Sequence, residues 1–160
     1  MTDSRTLAET VLDLCRRRGW KLATAESCTG GMVAAALTDI AGSSEVLERG
    51  FVTYSNEAKT DLLGVPARLI EQHGAVSEEV ARAMATGTLA HAPVDLAVSI
   101  TGIAGPGGGS DAKPVGLVHF GAARKGGPVV AEHQIFTGDR DQVRAAAARR
   151  ALELLIDLTN

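Results

Sequence analysis

Aromatic residues are nearly absent from this chain: three phenylalanines, one tryptophan and one tyrosine among 160 residues. Proteins that grip single-stranded nucleic acid stack bases on such rings inside a basic groove. Here the rings are missing and the formal charge is −3, so composition argues against nucleic acid as a partner. The nearest basic cluster, Arg144, Arg149 and Arg150, reads as the solvated face of the last helix. Cysteine is scarce too. Cys15 and Cys28 supply neither a disulfide framework nor a metal-ligand spacing. No apolar run approaches the length of a bilayer span, and residues 1–5 lack the basic-then-apolar layout of a signal peptide. The expectation is a cytoplasmic protein without a membrane partner.

What the chain does have is a 45% hydrophobic composition carried by small aliphatic residues, enough for one core. Ser4 can cap a helix to about Arg18, with Leu7, Val11, Leu14 and Cys15 on one face and Gly19 as its stop. Lys21 to Ala25 reads as a short buried strand, and an alanine-rich helix follows from Gly30 to about Thr38. Leu47 to Tyr54 is the next strand. Ser55 or Asn56 caps a short helix holding Lys59, Leu62 and Leu63, and Pro66 opens another that ends by Gly74. Ser77, followed by Glu78 and Glu79, starts a helix to about Ala90. Leu96 to Thr101 is a central strand leading into the glycine-rich loop of residues 102–110. Val115 to Arg124 and Val129 to Phe136 form a hairpin, and a helix from about Asp141 to Leu158 closes the chain. Helices and strands alternate early and a hairpin comes late. That order predicts one α/β domain over residues 1–160, three-layer α/β/α with a mixed sheet. Functional residues in such sheets gather at the carboxyl ends of strands, which marks the loops after Ala25, Tyr54 and Thr101.

Ser27 stands between a strand and a helix, where nearby backbone amides can form an anion site. It can therefore be a nucleophile with a local oxyanion hole, although on position alone Ser27 or Thr29 reads first as the helix cap that such residues usually provide. A serine nucleophile needs a base. His73, His91, His119 and His133 show neither a triad-like partner nor metal-ligand spacing, which argues against a zinc hydrolase. Lys59 is the better candidate: a lysine in a poorly solvated pocket has a lowered pKa and can take the serine proton. Tyr54 can relay that proton or position the lysine. Cys28 is a rival nucleophile without a visible base, better read as an inert thiol. The glycine loop is not a phosphate-binding Walker motif, since no Gly-Lys-Ser/Thr follows, and Pro114-Val115 keeps it from opening a helix. Arg140 can pair bidentately with a phosphate or form a surface ion pair with Asp139 or Asp141.

Several segments, in order, resemble the CinA C-terminal domain: Thr24 to Gly31, Ala41 to Ser44, Gly50 to Lys59, and Gly74 to Ser77. Ser99 to Pro106, Lys113 to Gly116 and Gly138 to Arg140 complete the likeness, which spans nearly the whole chain. The resemblance implies hydrolysis of the carboxamide of nicotinamide mononucleotide to nicotinate mononucleotide and ammonia, with that nucleotide as the small-molecule partner. It places the nucleophile on Ser27 and the accompanying tyrosine and lysine on Tyr54 and Lys59. Substrate-binding positions fall on Thr101 and Arg140, with Gly105 in the loop beside them, and the amides of Cys28, Thr29 and Gly30 are expected to hold the oxyanion. The scheme calls for no metal and no cofactor. A non-catalytic nucleotide-sensing or accessory module is the alternative, and the alanine-rich helix leaves room for a dimer interface.

Overall fold

Asp3, not Ser4, caps the first helix, its carboxylate accepting from the Thr6 amide at 2.8 Å. In the computed structural model, which describes all 160 residues, helix α1 runs Ser4–Arg18 and stops at Gly19. Leu12 rather than Leu14 completes its buried stripe, because Leu7, Ala8, Val11, Leu12 and Cys15 repeat at the spacing of one helical face. Strand β1 (Leu22–Glu26), helix α2 (Met32–Thr38), strand β2 (Leu47–Val52) and helices α3 (Asn56–Leu63), α4 (Ala67–His73) and α5 (Glu78–His91) follow. Strands β3 (Leu96–Gly102), β4 (Leu117–Arg124) and β5 (Val129–Ile135) and helix α6 (Arg140–Leu158) complete the chain. Helix α2 begins two residues later than the sequence suggests. Gly30 and Gly31 hold φ of +58° and +110°, outside the helical region and open to glycine at little steric cost.

The five strands form one sheet in the order β2-β1-β3-β4-β5. Strands β2, β1 and β3 run parallel, while β4 and β5 are antiparallel additions. The sheet is mixed, as expected. Inner strand β1 is buried at every position and β3 at all but its last, which fits apolar runs covered on both faces. Helices α1, α2 and α6 cover one face, and α3, α4 and α5 cover the other. The larger core, 25 buried residues, lies under α1, α2 and α6. Alanines 147, 148 and 151 of α6 are buried in it, and their small side chains let the helix sit close on the sheet. That packing is how a core forms with so few aromatic rings.

The chain leaves β1 for β2 on one side and returns to β3 on the other. Between β1 and β3 lies the switch in strand order where α/β sheets open a crevice at their carboxyl ends. Ser27, Tyr54 and Thr101 all stand at that edge.

Candidate active site

Glu26 shapes the turn that carries Ser27. This carboxylate is 1% exposed, and it accepts from Thr29 Oγ1 at 2.6 Å, the Val33 amide at 3.0 Å and the Ala34 amide at 3.1 Å. Neither Ser27 nor Thr29 therefore caps α2, and the cap reading of both residues is overturned. The Ser27 amide donates to Ile100 of β3 at 3.0 Å, and the Gly30 amide returns to the Ser27 carbonyl at 3.0 Å. From the opposite side Arg144 of α6 donates Nε to the Cys28 carbonyl at 3.0 Å and Nη2 to the Thr29 carbonyl at 3.4 Å. The Ser27 hydroxyl is left to face the crevice.

Lys59 meets it there. Ser55 caps α3 through the Ala58 amide at 3.0 Å, and this turns Lys59, in the first turn, inward. Its side chain is 1% exposed. Nζ donates to Ser27 Oγ at 3.2 Å, to the Thr53 carbonyl at 3.0 Å, and to the Tyr54 and Ser55 carbonyls at 3.4 Å each. Burial pushes the Lys59 pKa down from its ordinary value, while the Cys28 thiol and the Glu57 carboxylate push weakly the other way. A buried lysine held by neutral oxygens alone is the environment that favours a free amine.

Tyr54 contributes its carbonyl to this pair, the Ser27 hydroxyl donating to it at 3.5 Å. Its phenol lies 63% exposed and accepts from Arg140 Nη2 at 3.2 Å, away from Ser27 and Lys59. Arg140 Nη1 donates to the Gly105 carbonyl at 2.7 Å, so Arg140 ties the glycine loop to Tyr54 rather than pairing with Asp139 or Asp141. Asp139 instead caps α6 in a capping box with Gln142. Gly105 holds φ of +83°, and a Cβ there would come within 2.5 Å of Val115 Cγ1, so the loop can close on Val115 only with glycine at this place. Thr101 Oγ1 donates to the Ala75 carbonyl at 2.8 Å, drawing the segment before α5 against the crevice.

These groups enclose a cavity of about 280 Å³, at the small end for a ligand site, with Ser27, Cys28, Lys59, Thr101, Gly105 and Arg140 among its walls. Hollows elsewhere are larger, up to about 620 Å³ beside α1 and α6, but hold no comparable constellation. Thr29 and Gly30 do not line the cavity, a departure from the expected binding set. The Gly30 amide is already engaged by Ser27, whereas the Cys28 and Thr29 amides donate to no backbone carbonyl. Burial pushes the Cys28 thiol up to about 11, as an inert thiol requires. His119 and His133 face each other across β4 and β5 with rings 5.2 Å apart, and neither hydrogen-bonds to Ser27. No three His, Cys, Asp or Glu side chains gather into a metal-binding group, and no helix is long and apolar enough to cross a membrane.

The family profile described as the CinA C-terminal domain matches residues 4–159. This chain belongs to that family. A nicotinamide-nucleotide amidohydrolase PncC from Escherichia coli K12 is 54% identical to it, over 97% of this chain and 95% of that one. A CinA-like protein from Geobacter sulfurreducens is 51% identical over 94% of this chain, a stretch that makes up only 36% of the Geobacter protein. The crystal structure of the competence/damage inducible protein CihA from Agrobacterium tumefaciens superposes with a TM-score of 0.97 at 46% identity, covering 100% of this chain and 98% of that one. The CinA fold thus accounts for the mixed sheet and for its helices on both faces.

Two residues that build this CinA site were missed by the sequence reading. Glu26 gave a usable signal, a carboxylate at the end of a strand with Gly-Gly and a helix just beyond. Arg144 was assigned to a solvated face with Arg149 and Arg150. Its position four residues after Arg140 puts both on the same face of α6, which was the available clue. Arg150 also leaves that reading, since its guanidinium binds both oxygens of Glu132 at 2.7 Å.

Proposed function

We propose that this chain is an amidohydrolase that converts nicotinamide mononucleotide to nicotinate mononucleotide and ammonia, with residues 1–160 acting as one domain in the cytoplasm. One observation carries the chemistry: Lys59 Nζ lies 3.2 Å from Ser27 Oγ, buried and without a carboxylate partner. The name of the E. coli relative, at 54% identity over nearly all of both chains, supports the substrate.

A neutral Nζ has two hydrogens and one lone pair. The Thr53 carbonyl takes one hydrogen and the Tyr54 or Ser55 carbonyl the other, which turns the lone pair toward Ser27. Lys59 then accepts the Ser27 proton as Oγ bonds to the carboxamide carbon. The oxyanion that forms is held by the Cys28 amide, which lines the cavity and has no backbone acceptor. When the carbon–nitrogen bond breaks, the departing nitrogen takes the proton from Lys59 and leaves as ammonia. Water then attacks the ester, gives its proton to Lys59, and Ser27 Oγ departs with that proton, releasing the carboxylate. Arg140 and the Gly105 loop are the groups available for the ribose or the 5′-phosphate. Tyr54 acts by position, through its carbonyl, because its phenol makes no hydrogen bond with Ser27 or Lys59 along which a proton could pass.

The test is the release of ammonia and nicotinate mononucleotide from nicotinamide mononucleotide by the purified protein, beside Ser27→Ala. Turnover by the wild type and its loss in the variant are expected. Equal turnover by both would remove Ser27 from the chemistry. Thermal stabilisation by the nucleotide without any turnover would favour a sensing or accessory module instead.

A further inference from the structure

Arg144 has no carboxylate partner, unlike Arg82 and Arg150, which pair with Glu78 and Glu132. Its guanidinium lies half-buried against the turn after β1, and both of its hydrogen bonds go to carbonyls of that turn, Cys28 and Thr29. Like Arg140 on Gly105, it spends its cation on main-chain carbonyls, here those of the turn that carries the candidate nucleophile.

Peptide planarity supplies one. In a trans peptide the carbonyl and the following N–H point in opposite directions, so fixing one fixes the other. The Cys28 carbonyl and the Thr29 amide belong to the same peptide. Arg144 Nε at 3.0 Å from that carbonyl therefore aims the Thr29 N–H away from α6. The neighbouring peptide is fixed in the same manner: the Gly30 amide holds the Ser27 carbonyl at 3.0 Å, and this aims the Cys28 N–H. Neither of these N–H groups has a backbone acceptor, and Cys28 lines the cavity.

We propose that Arg144 is a positioning residue for the reaction, fixing the Cys28–Thr29 peptide so that the turn holds Ser27 and the cavity-lining Cys28 N–H in place for the oxyanion. The proposal rests on the reading of Ser27 as nucleophile. Glu26 and Arg144 divide the labour around the turn. Glu26 binds its side chain and the amides of α2, and Arg144 binds its carbonyls.

The experiment is steady-state turnover of nicotinamide mononucleotide by wild type, Ser27→Ala, Arg144→Met and Arg144→Lys, with the melting temperature and the pH profile of each. Removing one oxyanion donor outright costs about 10²–10³-fold in kcat, so losing its support in Arg144→Met is expected to lower kcat by at least about tenfold. KM should stay within about twofold, because the effect appears in the transition state. Arg144→Lys, which keeps the charge and one donor, should recover part of that loss. The acid limb of the pH profile should not move in either variant, since Arg144 does not touch Lys59. Wild-type kcat in both Arg144 variants, or a loss of kcat matched by an equal rise in KM, overturns the proposal. Should Arg144→Met fail to fold, Arg144→Lys decides alone: a lowered kcat at unchanged KM is expected, and an unchanged kcat overturns it. If instead wild type does not turn over, or Ser27→Ala does, the underlying amidase reading has failed rather than the role of Arg144.

Discussion

Lys59 Nζ and Ser27 Oγ lie 3.2 Å apart although 32 residues separate them in the chain. The sheet accounts for this. Strands β1 and β2 are parallel neighbours, so the turn after one and the helix after the other open at the same edge. Ser27 follows β1 directly, and Lys59 reaches back from the first turn of α3.

Activity is expected to fall on acidification. The base must be the free amine, and burial holds the Lys59 pKa below its ordinary 10.5. The acid limb of kcat/KM should therefore titrate with a single group whose pKa is below 10.5, and Lys59→Arg should abolish activity at every pH. A profile flat on the acid side down to the range of carboxylates would remove Lys59 as base.

Stability should carry the same signature. Lys59 binds its proton more weakly in the folded chain than in the unfolded one. Between the lowered pKa and 10.5 the unfolded chain therefore holds more protons, and stability rises with pH across that window. Lys59→Met lacks this contribution. Urea unfolding of both proteins from neutral pH upward should show the difference moving in favour of the wild type as pH rises. A difference independent of pH would contradict it.

Arg140→Met should weaken substrate binding more than it slows chemistry. The variant loses both the donor to Gly105 and the donor to Tyr54, and with them the cation facing the loop. A charge-assisted hydrogen bond contributes about 1.5–3 kcal/mol, so KM for the nucleotide is expected to rise about tenfold or more, with little change in kcat. An unchanged KM would move phosphate or ribose binding elsewhere.

Glu26→Gln should destabilise the fold. All three donors on Glu26 point at carboxylate oxygens, and an amide NH₂ in place of one oxygen sets donor against donor in a buried site. The expected cost is about 1–3 kcal/mol in urea unfolding. Stability equal to wild type would mean that the turn is held by other bonds.

Much of this was readable in the sequence where the signal is local. Ser27 directly follows one strand and Lys59 lies in the first turn of the helix after the next, and the hydrophobic spacing predicts every helix and strand of the sheet to within about two residues. Element ends depended on atoms that spacing does not report. Asp3 reaches forward to Thr6 and displaces Ser4 as cap, and the conformations of Gly30 and Gly31 delay α2. The supports of the site were hidden for a different reason. Arg144 acts on carbonyls 116 and 115 residues away, and on a helical face a lysine or arginine bound for solvent looks the same in sequence as one bound for the main chain. Arg140 was legible as a candidate anion partner, but its grip on Gly105 and Tyr54 depends on β2, the glycine loop and α6 converging.

The pairing of Ser27 with Lys59 is tested most directly by a double-mutant cycle on turnover of nicotinamide mononucleotide, using Ser27→Ala, Lys59→Met and the double variant. Residues that act as one unit give losses that do not add. Each single variant is expected to lose at least about 10³-fold in kcat, with the double variant falling no further than either. A Lys59→Met protein within about tenfold of wild type, or a double variant whose loss is the product of the two single losses, would contradict a shared role in catalysis.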